Sequence, residues 1–276
     1  MIETLCRMAE TSYGIKTDSD NIERLLNHIL SVNNNNSFDR IFTSGEAAAF
    51  LTVNETYFFR EPLHFFLLKE LLPSFDQSVI RICSAATSCG CEAYSIAMFL
   101  ETYNTIAERP LSYQIDAFDI NPNAIETACK GVFNQRSLRD DGSCFSHIYD
   151  MYLKRNDYNV YVDQNLKKTI NFFVHNLLNE FKTDYYDIIF FRNAFIYFLP
   201  DYRDRVLTNL SNALKENGFL ITGISETAGV KHRHLEQRIR RLLPQMEDVF
   251  FFQKNTYKKP AVPDYFTNAP YEKSAV

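Results

Sequence analysis

The spacing of apolar residues along this chain changes character near residue 79. In residues 18–32, Ile22, Leu25, Leu26, Ile29 and Leu30 recur at steps of three and four, which puts them on one helical face. The polar run from Asn33 to Asn36 ends that helix as a loop, and a second short helix is expected over residues 44–51. From Val79 onward, apolar runs of strand length alternate with helical patterns. Strands are expected over 79–84, 113–118, 169–174, 187–191 and 218–224. Helices fall between them over 92–102 (with Ile96, Phe99 and Leu100 on its apolar side), 123–130 and 201–215. Such alternation implies an α/β, doubly wound, mostly parallel sheet. A further strand over 249–253 is placed as an antiparallel edge.

Residues 131–168 interrupt the rhythm, and they exceed an ordinary connection of about 4–6 residues. They hold Arg136, Arg139, Arg155, Lys167 and Lys168 beside the β-rich run from Tyr158 to Val162, so a small inserted β-hairpin unit is expected. The resulting division is a short helical region over 1–51, a main domain over 52–257 carrying the 131–168 insert, and an irregular tail over 258–276 with Pro260, Pro263 and Pro270.

Composition narrows the function classes. Hydrophobic residues make up 46% of 276, enough for one large core. A net charge of -5 weighs against nucleic acid as a main partner, because phosphate binding needs a basic field. No apolar run approaches the roughly 18 residues of a membrane span, and the start of the chain lacks a signal-peptide pattern. The expectation is a cytoplasmic protein with reduced cysteines. Cys83, Cys89 and Cys91 lie close together but lack the spacing of a zinc site, so no metal is expected.

Candidate chemistry sits at the predicted strand ends. The apolar run from Ile188 to Phe191 is followed at once by Arg192, Asn193 and Tyr197, where an open α/β sheet leaves its ligand crevice. After the first strand, residues 84–90 are mostly small and let backbone approach a ligand closely. Asp119, ending the second strand, can accept hydrogen bonds from both hydroxyls of a ribose. Only Gly90 is present of a G-x-G-x-x-G fingerprint, which favours a nucleotide-like cofactor without pyrophosphate. Structural alternatives stand beside each reading. Arg60 and Glu61 can form a surface pair, Glu92 can be a first-turn acid, Asp119 can cap a helix, and Tyr197 can be a core tyrosine. His175 is read as structural.

These segments, together with Asn54-Glu-Thr-Tyr-Phe-Phe-Arg60, Cys91-Glu-Ala-Tyr-Ser95, His175-Asn-Leu-Leu178 and Gly223-Ile-Ser-Glu226, resemble the CheR-type chemotaxis receptor methyltransferases. The resemblance runs from about Asn54 to Glu226. It implies the S-adenosylmethionine-dependent methyltransferase type of sheet and methylation of receptor glutamates. Carried over residue by residue, it implies that Asn54, Thr56 and Arg60 contact the cofactor or flank the methyl donor. Glu92 would pair with the methionine moiety or with Arg60, and Asp119 would hold the ribose. Asn176 and Leu177 would lie on the adenine side, Arg192 and Asn193 at the methionine end. Arg60 and Tyr197 would stand beside the reacting carboxylate.

The pattern departs from the family in the first loop, where Cys91 stands for an acid, Ala93 for a proline and Cys89 for a threonine. Loss of that acid removes one possible acceptor near the cofactor. The implied partner is the cytoplasmic domain of chemotaxis receptors, with a receptor tail peptide able to add a strand to the inserted subdomain. The amino-terminal region is short for the family, with Arg7, Lys16, Arg24 and Arg40 as candidates for receptor contact. A catalytically silent cofactor- or receptor-binding module and a methyltransferase with another acceptor remain as alternative readings.

Overall fold

Period-two alternation with both sides apolar builds the centre of the molecule. In β1 (Val79–Ala85), Ile80 and Ile82 face one core while Cys83 and Ala85 face the other. In β7 (Tyr186–Phe191), Ile188 and Phe190 match the first side, Ile189 and Phe191 the second, and all six residues are buried. Each fully buried Ile or Phe contributes about 1.5–3 kcal/mol, so these strands hold the sheet from both faces.

The computed structural model describes residues 1–31, 37–52, 54–75, 79–242 and 246–255. The expected Asn33–Asn36 loop and the 258–276 tail lie outside the described residues. In chain order the helices are α1 (Ile2–Tyr13), α2 (Ser19–Ser31), α3 (Ser37–Thr43), α4 (Ala48–Leu51), α5 (Leu63–Leu71), α6 (Cys91–Ile106), α7 (Pro122–Lys130), α8 (Ser146–Tyr152), α9 (Gln164–Lys167) and α10 (Pro200–Ala213). The remaining strands are β2 (Ser112–Asp119), β3 (Val132–Asn134), β4 (Leu153–Arg155), β5 (Asn159–Val162), β6 (Ile170–Val174), β8 (Leu214–Thr222), β9 (Leu235–Arg241) and β10 (Asp248–Lys254). The main sheet has seven strands in the order β6-β2-β1-β7-β8-β10-β9. Pairings from β6 through β8 are parallel, and those of β10 with β8 and β9 are antiparallel. The α/β doubly wound, mostly parallel class is therefore as expected. Strand order reverses at β1 and β7, which opens a crevice at their carboxyl ends. No helix among the described residues is long and apolar enough to cross a membrane.

The differences from expectation have physical causes. The sequence puts strand 249–253 at the sheet edge, but β9 lies outside β10. The β9 sequence, Leu-Glu-Gln-Arg-Ile-Arg-Arg, is mostly exposed and so carries no apolar alternation to read. The inserted hairpin is instead a three-stranded sheet in the order β3-β5-β4; its outer strands have three residues each, too short for a period. The stretch 44–51 holds helix only at α4, preceded by turns, and α3 precedes it. Helix α5 was not foreseen because its sequence, Leu-His-Phe-Phe-Leu-Leu-Lys-Glu-Leu, is apolar on most sides. Strand β8 starts before Asn217-Gly218; the pairing slips between Tyr186 and Ile188, and Lys215 Nζ reaches the Asp187 carboxylate at 2.8 Å there.

Two apolar clusters cover the two sheet faces. One joins α5, α6 and the inserted subdomain. The other joins Leu5, Ala9, Ile22 and Leu25 of the amino-terminal helices to Cys83, Ala85, Phe118 and Phe191 of the sheet. Helices α1 to α4 are thus packed on the sheet as one of its covering layers.

Candidate active site

The loop after β1 descends through left-handed backbone at Ala86 (φ 59°), Ser88 (φ 53°) and Gly90 (φ 90°). Non-glycine residues held there cost about 1–3 kcal/mol each and concentrate at functional sites. Gly90 precedes α6, and a Cβ on it would come within 2.8 Å of the Ala128 Cβ, so no larger residue fits. Cys91 and Ala93 are fully buried in the core behind this loop. The Cys91 thiol lies beside Thr56, a residue that lines the cleft.

Asp119 ends β2 and is 7% exposed. Its Oδ2 accepts the Ser88 N–H at 2.8 Å and its Oδ1 the Asn121 N–H at 3.0 Å. Burial pushes its carboxyl above the usual range, and these N–H groups partly oppose the push. The helix cap is Asn121, whose side chain accepts from Asn123 N and Ala124 N. Capping is thereby taken from Asp119, which faces the cleft.

From the end of β7, Arg192 is 5% exposed. Its Nη1 lies 3.2 Å from Glu92 Oε2, and its Nη2 lies 3.6 Å from Glu61 Oε2 and donates to the Arg60 carbonyl. Glu92 also accepts from Ser84 Oγ at 2.7 Å. Burial raises the Glu92 carboxyl while the Arg192 guanidinium pulls it down. Glu92 was expected to pair with the cofactor or with Arg60; its partner here is Arg192. Arg60 makes no contact within 4 Å to a carboxylate among the described residues; its Nη1 donates to the Glu55 carbonyl at 3.1 Å. The Arg60–Glu61 surface pair does not form. Glu61 turns inward, accepting from Asn193 Nδ2 at 3.0 Å and Ile224 N at 3.2 Å.

Asn193 takes a left-handed φ of 57°, and Glu226 holds that turn in place. Glu226 is 2% exposed and accepts from Asn193 N at 2.6 Å, Ile196 N at 3.2 Å and Gly223 N at 3.2 Å. This fixes the backbone leading to Tyr197, whose hydroxyl makes no hydrogen bond to a described residue. After β6, the Asn176 side chain donates to Ser12 O at 2.7 Å and accepts from Leu178 N at 3.0 Å. It therefore ties α1 to the sheet. His175 stacks edge-on against Phe118 at 5.0 Å, and burial lowers its pKa, so it presents a neutral ring.

All residues singled out in the sequence meet at one cleft: Asn54, Thr56, Arg60, Glu92, Asp119, Asn176, Leu177, Arg192, Asn193 and Tyr197 line it. It holds about 960 Å³ of empty space, part of it open to solvent. Tyr13, Ile15, Phe118 and Ile120 also line it. Sequence reasoning missed Glu61, Glu226, Tyr13 and Ile15. Glu61 directly follows the quoted segment ending at Arg60, and Glu226 ends the quoted Gly223-Ile-Ser-Glu226. The last two enter through a bridge of Ile15 to Phe198 that no local pattern announces.

The cleft suits a nucleoside carrying a charged amino-acid tail. Asp119 spends one hydrogen bond per oxygen on backbone, leaving lone pairs for ribose hydroxyls. Aromatic and aliphatic side chains flank that end, and charged groups gather at the other. The Nε of Arg192 is buried without a partner among the described residues, a donor that a ligand can satisfy.

Comparison with known proteins agrees with this geometry. A family model described as CheR methyltransferase, SAM binding domain, matches residues 54–241. The chemotaxis protein methyltransferase of Vibrio parahaemolyticus is 35% identical over 182 residues, covering 64% of this chain and 66% of that protein. That of Escherichia coli is 34% identical over 204 residues, covering 71% and 68%. That of Borreliella burgdorferi is 32% identical over 188 residues, covering 64% and 65%. The match thus spans just under two thirds of the first relative. Because the matched residues run from the loop holding Asn54 and Arg60 through every parallel strand end to β9, the chain belongs to the CheR methyltransferase family.

Proposed function

We propose that this protein transfers a methyl group from S-adenosylmethionine to glutamate side chains in the cytoplasmic domain of chemotaxis receptors, giving methyl esters. The bound cofactor supplies a methyl group already activated by the sulfonium charge. Asp119 accepts hydrogen bonds from the ribose, Leu177 and the amide of Asn176 border the adenine, and Asn54, Thr56, Arg192 and Asn193 surround the methionine end. Glu92 orients Arg192 toward that end. The acceptor glutamate, with a reference pKa near 4.3, is ionised at neutral pH and needs no general base. The remaining task is alignment, where positioning is worth about 7–11 kcal/mol.

The observation that carries the reading is the contrast between the cleft's arginines. Arg192 is committed to Glu92 and Glu61, whereas Arg60 has no carboxylate partner among the described residues. A guanidinium at a cleft wall without an anion is suited to grip a carboxylate in bidentate geometry. The free Tyr197 hydroxyl can hold one acceptor oxygen. Incubation with methyl-labelled S-adenosylmethionine and receptor cytoplasmic fragments should place base-labile label on glutamates. Bound cofactor without any transfer contradicts the activity.

A further inference from the structure

The mouth of the cleft is built from segments far apart in sequence. Glu55, Tyr57 and Arg60 line it, and Arg139, from the inserted subdomain between β3 and α8, contacts Glu55 and Tyr57 at its rim. The Arg139 guanidinium carbon stands 4.3 Å from the centre of the Tyr57 ring and that of Arg60 stands 5.3 Å from the same ring. One aromatic side chain therefore carries both cations, in a protein whose net charge is -5. Stacking fixes the direction of a planar guanidinium and leaves its edge for hydrogen bonding.

That edge is only partly used. Arg139 Nη2 donates to Glu55 Oε1 at 2.6 Å, and its other nitrogens meet no acceptor among the described residues. Both side chains are well exposed, 44% for Arg139 and 55% for Glu55, and such pairs hold weakly. Nearby, Asp141 meets the Tyr57 hydroxyl; Glu55 is the acid that reaches the Arg139 guanidinium, and its hydrogen bond is the main cause raising the Arg139 pKa.

We propose that Arg139 is a specificity-determining residue that, with Arg60 on Tyr57, docks an acidic protein segment whose second carboxylate lies beside the one methylated. Glu55 fills the Arg139 site until that carboxylate replaces it. The inference rests on the proposed acceptor chemistry and names the neighbouring feature that the acceptor must carry: a further acid. It also assigns the inserted subdomain a direct part in acceptor choice.

The test measures binding of a fluorescent receptor cytoplasmic fragment by anisotropy, with S-adenosylhomocysteine present, alongside methyl transfer to the same fragment. Arg139→Gln should weaken fragment binding about threefold or more, an effect at the upper part of the range for exposed pairs. Glu55→Gln should tighten it about twofold, because it frees the cation. Both should leave affinity for S-adenosylhomocysteine unchanged. A purely structural pair, pinning the subdomain to the 54–60 loop, would shift both variants in the same direction or neither. Either result overturns the proposal, as does failure of the wild-type protein to bind the fragment. Opposite shifts in binding without any methyl transfer would leave the docking role standing and overturn the proposed activity.

Discussion

Each charged residue of the cleft is held by partners that differ in kind, and the differences predict different defects. Asp119 relies on backbone N–H groups, so Asp119→Ala should weaken S-adenosylhomocysteine binding about 10-fold or more, the loss of hydrogen bonds to a charged group. The Tyr197 hydroxyl has no hydrogen bond to lose among the described residues. Tyr197→Phe should therefore lower kcat while KM for the cofactor stays level; steady-state kinetics on both variants separates the roles. Burial raises the folded-state pKa of Asp119. The folded protein thus keeps a proton that the unfolded chain has lost, and this residue's contribution to stability falls as pH rises from the unfolded value through the folded one. Cofactor binding needs the charged form. Calorimetric affinity for S-adenosylhomocysteine should fall on acidification starting above the ordinary Asp range, and Asp119→Asn should flatten that dependence.

At the scale of elements, the ends of β1, β2, β6 and β7 were readable because an apolar run stops abruptly at polar residues. What the run cannot reveal is which of several adjacent acids turns inward. Glu61 follows Arg60 and looked like its surface partner, yet a left-handed φ of 55° sends it to Arg192 and Asn193. Glu226 likewise acts on a turn more than thirty residues earlier in the chain. Replacing Glu226 by Ala leaves the Asn193, Ile196 and Gly223 N–H groups without their acceptor. That should cost about 2–3 kcal/mol of unfolding free energy, seen in urea melts, together with a drop in turnover as the Tyr197 turn loosens. Elements whose residues are mostly exposed, such as β9, or mostly apolar, such as α5, are illegible for the same reason: their sequences carry no clear alternation of apolar and polar positions.

For the molecule as a whole, the amino-terminal helices complete the site as well as one core. Leu199 N donates to Gly14 O at 2.8 Å and Lys16 N to Tyr197 O at 2.9 Å, so the start of the chain is strapped to the wall carrying Tyr197. Gly14 permits this at a φ of 67°, with the Tyr202 ring only 2.8 Å from where a Cβ would sit. Removing residues 1–51 should expose the sheet face lined by Phe118 and Phe191 and abolish binding of S-adenosylhomocysteine; circular dichroism melts and calorimetry on the shortened chain check both. The central claim is that strand ends remote in sequence surround a single methyl donor at the carboxyl edge of the parallel sheet. A crystal structure with S-adenosylhomocysteine bound tests it most directly. The account predicts ribose hydroxyls on Asp119 and the sulfur facing Arg60 and Tyr197. Ligand density away from Asp119, or a sulfur turned from those two side chains, would contradict it.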